Sequence, residues 1–141
     1  MKKEWILVAS REEVKFFRRR GASDIELLRD MGNPLGLARE QDLVTDKPGR
    51  ATDNRMRARH SYSTEQSFRE RALIDFYRDV IDILDRSLLT HEFEALTIIA
   101  EPHLLGIIRG LLPTRVARVV KREIRKDLSY AEAPEIAQRI G

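Results

Sequence analysis

The chain has 141 residues, a formal net charge of +3, 42% apolar and 35% charged residues, and no cysteine. That length makes residues 1–141 a single domain, and the apolar share is enough for a core, which excludes wholesale disorder. Disulfides, thiolate metal sites, iron–sulfur clusters and thiol nucleophiles are excluded, so the expected compartment is a reducing cytoplasm. No apolar run approaches the ~20 residues that span a bilayer. The run Trp5–Ala9 is also too short for the apolar part of a secretory signal.

Trp5–Ala9 has strand length and no polar alternation, which predicts a strand covered on both faces. Val14–Arg18 and Asp24–Met31 flank the short link Arg20-Gly21-Ala22-Ser23, so a hairpin is expected there and an antiparallel meander with the first strand. Residues 32–63 show no sustained period and hold Gly32, Pro34, Gly36, Pro48 and Gly49. They read as a long loop with one helical turn near Leu37–Gln41, and loops of that length are mostly functional or disordered. Ser63-Thr64-Glu65-Gln66 fits a capping box. Beyond it, Leu73, Phe76, Tyr77, Val80, Ile81, Leu84 and Leu88 form the stripe of an amphipathic helix over about Thr64–Leu89. Asp75, Asp79, Asp82 and Asp85 lie off that stripe.

Ala95–Ala100 is a second central strand, ended by Glu101-Pro102, and Pro102 suits the first position of a helix over His103–Leu112. Gly106 and Gly110 share one face of that helix, which predicts a close approach to another backbone. After Pro113, Thr114 starts a further turn through Ala117. Val119–Leu128 reads as an edge strand and Ala133–Ile140 as a short helix. The order is β β β, long loop, α, β, α, β, α. It implies an α/β fold: a mixed five-stranded sheet, the strand from Trp5 parallel and adjacent to the strand from Ala95, with a long helix on one face.

Ribonuclease H-like proteins share this element order, but their two-metal chemistry needs a carboxylate from the first central strand. Trp5–Ala9 has none, and Glu101 at the end of the later strand stands alone. No nucleophile elbow, GxxxxGK[ST] or GxGxxG is present. The sequence therefore assigns no catalytic residue, no metal ligand and no cofactor. His103 stands at a strand-to-helix junction, where α/β proteins bind ligands, although a polar helix-start residue explains it as well. His91 follows the long helix and is expected to assist its carboxyl end.

Charge is unevenly placed. Residues 47–60 hold Lys47, Arg50, Arg55, Arg57 and Arg59 against Asp53. Residues 109–126 hold Arg109, Arg115, Arg118, Lys121, Arg122, Arg125 and Lys126 against Glu123, and residues 61–108 between the two blocks hold nine acids against four bases. Clustered Lys and Arg is the footprint of a polyanion partner, and a solvated surface is the plainer alternative. The RNA-binding candidates are Lys47, Arg50, Arg55, Arg57, Arg59 and His60, in a cationic loop beside a helix start whose N–H groups and dipole favour phosphate.

The stretch Arg39-Glu-Gln-Asp42-Leu43-Val44-Thr45-Asp46-Lys47-Pro48-Gly49-Arg50 resembles the bacterial host attachment protein family. Trp5–Ser10, Ala100–Gly106 and Leu112–Leu128 carry the resemblance over nearly the whole chain. The family's name records a phenotype, attachment to host cells, and brings no activity, cofactor or catalytic residue with it. The family is in turn similar to the middle domain of eukaryotic and archaeal class-one release factors, whose long loop before the helix carries a Gly-Gly-Gln motif. Here the corresponding loop, Lys47–Ser61, has Gly49-Arg50 and a basic run but no Gly-Gly-Gln, so the resemblance implies RNA or ribosome binding without peptidyl-tRNA hydrolysis. Other readings are an interaction module or oligomer whose acidic helix meets a protein partner, a surface adhesin, and a small-molecule enzyme at the Ser10/His103 end.

Overall fold

The computed structural model describes residues 2–34 and 55–141, with side chains from residue 64 onward in the second stretch. In chain order the elements are β1 (Glu4–Ala9), β2 (Glu13–Arg19), β3 (Ile25–Gly32), α1 (Arg55–Leu89), β4 (Ala95–Ile99), α2 (Pro102–Leu111), α3 (Thr114–Val119), β5 (Val120–Ile124) and α4 (Ala133–Ile140). The strands form one mixed sheet in the order β3-β2-β1-β4-β5. The pair β1–β2 and the pair β2–β3 are antiparallel, whereas β1–β4 and β4–β5 are parallel. Leu7 lies between Phe16 and Ile98 in that register.

All residues of β1 and β4 are buried because each face of the sheet has its own cover. Trp5, Leu7, Ala9, Phe16, Leu96 and Ile98 pack on α1, α2 and α3. Ile6, Val8, Phe17, Ile25 and Ile99 pack on Leu128, Ala131 and the α4 residues Ile136, Ala137 and Ile140. Trp5 stacks on Phe93 at 4.8 Å and meets the edge of Phe16 at 6.2 Å. The two unalternating runs are thus adjacent parallel strands away from the sheet edges, as expected.

The long helix departs from expectation. It begins at Arg55, and Ser63–Gln66 lies inside it rather than capping it. Its 35 residues span about 52 Å, against roughly 16–27 Å for strands of five to eight residues. Among its described side chains the first buried one is Leu73, followed by Phe76, Tyr77, Val80, Ile81 and Leu84. The amino part of α1 therefore extends past the sheet, and its described residues 64–72 bury no side chain. At the other end His91 takes φ 61°, and its N–H and that of Glu92 donate to Leu88 O and Ser87 O at 3.0 and 2.9 Å. This is the closing geometry of a Schellman motif, so His91 does finish the helix, through its backbone.

The faces of α2 are also corrected. Leu104, Leu105 and Ile108 make its packing, while a Cβ built on Gly106 or Gly110 would meet nothing within 4 Å. The glycine face looks outward and approaches no backbone. The Glu101 carboxylate caps α2, accepting from His103 N at 3.1 Å and Leu104 N at 2.9 Å. The first strand begins one residue earlier than expected, at Glu4, and so does contain a carboxylate, at its amino end. Among the described residues no helix is long and apolar enough to cross a membrane.

Candidate functional site

The parallel strands β1, β4 and β5 all end at one edge of the sheet, and α1 enters over that edge from its projecting amino part. Arg11 follows β1 and His103 follows β4. With Gln66, Ser67, Arg69 and Glu70 of α1 they line an open cleft of about 600 Å³. His103 Nε2 stands 2.9 Å from Glu70 Oε2, joining α2 to α1 across the cleft, and both side chains are partly exposed. The Arg11 guanidinium is half exposed and 4.0 Å from Glu101. Carboxyl ends of parallel strands are where α/β sheets gather ligand groups, because the loops there converge while the strand ends are fixed.

The backbone under Arg11 is rigid. The buried hydroxyl of Tyr77 donates to Ser10 O at 2.6 Å. Ser10 N and Oγ both donate to Glu13 O, at 2.9 and 3.0 Å. The buried Asn33 amide donates to Arg11 O at 3.0 Å, and its N–H donates to Glu12 O at 2.8 Å. Burial, reinforced by the nearby Glu12 and Glu13 charges, pushes the Tyr77 hydroxyl far above its usual titration range, with the Ser10 bond a smaller opposing effect. Among the described residues no group of three or more His, Asp or Glu is arranged to hold a metal ion.

The second basic block lies wholly within the described residues. In it, Arg109 forks onto Glu123, with Nε at 2.9 and 3.0 Å from its two oxygens. Arg115 grips Asp85 of α1 at 2.5 and 2.7 Å. Lys121 reaches Glu4 at 2.9 Å, and Arg122 donates to Ile140 O at 2.9 Å. The hydrogen bonds from Arg115 and Arg109 hold the Asp85 and Glu123 carboxyls below their usual range. Three of this block's seven basic residues, Arg109, Arg115 and Lys121, therefore hold ion pairs with acids of the fold. Arg118, Arg125 and Lys126 are exposed and make no ion pair among the described residues.

Of the residues singled out in the first block, Lys47 and Arg50 lie outside the described residues. Arg55, Arg57, Arg59 and His60 occupy the first turns of α1, so that part of the block is helical and not a loop. Sequence reasoning missed Arg11, Gln66, Ser67 and Glu70 as lining residues. The spacing 66, 67, 70 marks one helix face, but its partner across the cleft is more than thirty residues away.

A family model described as "Protein required for attachment to host cells" matches residues 5–140. The chain belongs to this family. Its description records a host-attachment role and specifies no ligand. No curated protein matches the chain. A solved structure described as "Archaeal protein" is similar with a TM-score of 0.49 at 9% identity; the match covers 97% of this chain and 36% of that one.

Proposed function

We propose that this family member binds RNA through the basic segment of residues 47–60, and that the attachment role in the family's description is an indirect consequence of that binding. The observation that carries the reading is the allocation of charge. Arg109, Arg115 and Lys121 of the second block are drawn into ion pairs within the fold. Segment 47–60 holds five basic residues against one acid and leads into the amino end of a helix that extends past the sheet. Cations at a helix start, with its orphan N–H donors, suit phosphate. The reading of α1 as an acidic docking face gains less support, since Asp75, Asp82 and Asp85 are paired with Arg78, Arg86 and Arg115.

The test is the affinity of the protein for a single-stranded RNA across a salt series, with and without Arg50→Ala, Arg55→Ala, Arg57→Ala and Arg59→Ala combined. The quadruple variant should bind more weakly. Its salt slope should fall by somewhat under one unit for each Arg that meets a phosphate. Thermal stability should hold, because Ala and Arg both favour helix. Equal affinity in variant and parent sinks the proposal.

A further inference from the structure

Tyr130 is the most exposed large hydrophobic residue among the described residues, at 72%. It does not sit on a loose segment. Its neighbours Leu128 and Ala131 are buried under the sheet at 1% and 3% exposure. Asp127 Oδ1 accepts from Ser129 N at 3.0 Å and from Ser129 Oγ at 2.6 Å, and Ala131 N donates to Leu128 O at 3.0 Å. Lys15 Nζ donates to Ser129 O at 3.4 Å, which ties the turn to β2. A tight turn anchored on both sides thus holds one aromatic ring out into water.

Charges of both signs surround that ring: Asp127 and Glu132 flank it in the chain, beside three cations. Lys15 touches the turn, and the exposed Arg125 and Lys126, for which no ion pair within 4 Å is formed among the described residues, precede it. The turn follows β5, so it belongs to the same edge of the sheet as Arg11 and His103. The ends of β1 and β5 are two strand spacings, about 10 Å, apart. The turn packs on the α4 face of the sheet, and α1 covers the other face.

We propose that Tyr130 is a stacking platform for a base of single-stranded RNA, with Arg125, Lys126 and Lys15 meeting the flanking phosphates. The inference rests on the RNA-binding reading of segment 47–60 and extends it to a second contact with the same strand. An aromatic ring stacks on any base, and a ring already fixed by its backbone loses little freedom on binding. Cations beside the ring hold the strand by charge, without reading its sequence.

The experiment is a titration of a labelled single-stranded RNA of about a dozen nucleotides, over a salt series, with the full chain. The variants are Tyr130→Ala, Tyr130→Phe, the pair Arg125→Ala and Lys126→Ala, and the quadruple Arg variant above. Tyr130→Ala should weaken binding roughly five- to 150-fold with an unchanged salt slope. Tyr130→Phe should stay within about twofold of the parent, since it keeps the stacking face. The Arg125/Lys126 pair should lower the slope. An oligomer of the same length built from abasic nucleotides should bind the parent and Tyr130→Ala alike.

Parent affinity that ignores Tyr130→Ala, while the quadruple variant loses binding, overturns the platform, assigns the ring to a protein contact or to solvent, and leaves the RNA reading intact. Loss on Tyr130→Ala with the quadruple variant unaffected supports the platform and overturns the role of segment 47–60. No affinity in the parent at low salt overturns both.

Discussion

The two edges of the sheet hold charged residues to different ends. At the amino edge, Glu4 is 6% exposed and its carboxylate takes bonds from Arg19 at 3.0 Å, Lys121 at 2.9 Å and Thr97 at 3.1 Å. Those partners belong to β2, β5 and β4, so one carboxylate of β1 joins four strands. At the carboxyl edge the polar groups Arg11, Glu70 and His103 stand on loops and helices around an open cleft. Buried charge whose lone pairs are all met fastens the fold; charge held half in water at the ends of parallel strands is free to meet a ligand. The difference is testable, because the same kind of substitution should act on stability at one edge and not at the other.

The largest effect is expected from Glu4→Gln. It leaves Arg19 and Lys121 facing a neutral amide, and charged hydrogen bonds of this kind are worth about 1.5–3 kcal/mol. A loss of about 2 kcal/mol at pH 7 in denaturant unfolding is the expected result. Burial raises the Glu4 carboxyl, but the bond from Lys121 and the charges of Arg19 and Lys121 outweigh it and leave it below its ordinary value of 4.5. A depressed acid stabilises fully above its unfolded value, and that contribution is lost as pH falls through the folded value. The gap between parent and Glu4→Gln should therefore be full at pH 7 and shrink below about pH 4. A gap that stays constant down to pH 3 breaks the account of the amino edge.

The carboxyl edge has a buried link of its own in Tyr77, and Tyr77→Phe sharpens the contrast. The change leaves Ser10 O without the Tyr77 hydroxyl, a cost of about 1 kcal/mol. Because the folded Tyr77 titrates above its usual range, its contribution is present below the unfolded value near pH 10 and is lost above it. Equal losses at pH 6 and pH 9, narrowing above pH 10, are expected. Since the hydroxyl braces the turn that carries Arg11, amide exchange at Arg11 and Glu12 should speed up in the variant while that of β4 does not. Faster exchange across the whole sheet would show that the bond supports the core rather than the turn.

How much of this was legible in the sequence differs between the same two regions. The central strands were legible because burial on both faces leaves an apolar run with no alternation, and Trp5–Ala9 and Ala95–Ala100 have one each. The carboxyl half of α1 was legible through its stripe from Leu73 to Leu88. Its amino half was not: residues 64–72 bury no side chain and so write no stripe, and Ser63–Gln66 imitates a cap inside a helix. The amino-edge cluster was invisible because Glu4 and Lys121 are 117 residues apart and the strand reads as starting at Trp5. For the same reason the ion pairs of Arg109, Arg115 and Lys121 with Glu123, Asp85 and Glu4 could not be read from the block 109–126. At the carboxyl edge, His103 stood out through its place after a strand, but its partner Glu70 is 33 residues away on another element.

The smallest stability effect is expected at His103. The His103–Glu70 pair has good geometry at 2.9 Å, yet its side chains are 54% and 39% exposed. Water competes for both groups, and holding two side chains together costs rotamer freedom, so such pairs contribute little to folding. His103→Ala and Glu70→Ala should each change unfolding free energy by less than about 0.5 kcal/mol, with a coupling in the double-mutant cycle of the same size or smaller. Glu101 rather than His103 caps α2, so the helix start survives the substitution. A coupling above about 1.5 kcal/mol would place the pair among buried ionic contacts. The carboxyl edge would then be fastened as the amino edge is, and the cleft would lose its standing as the open side of the sheet. A small coupling leaves that standing intact, because groups that add nothing to stability are held where a ligand, not the fold, can use them.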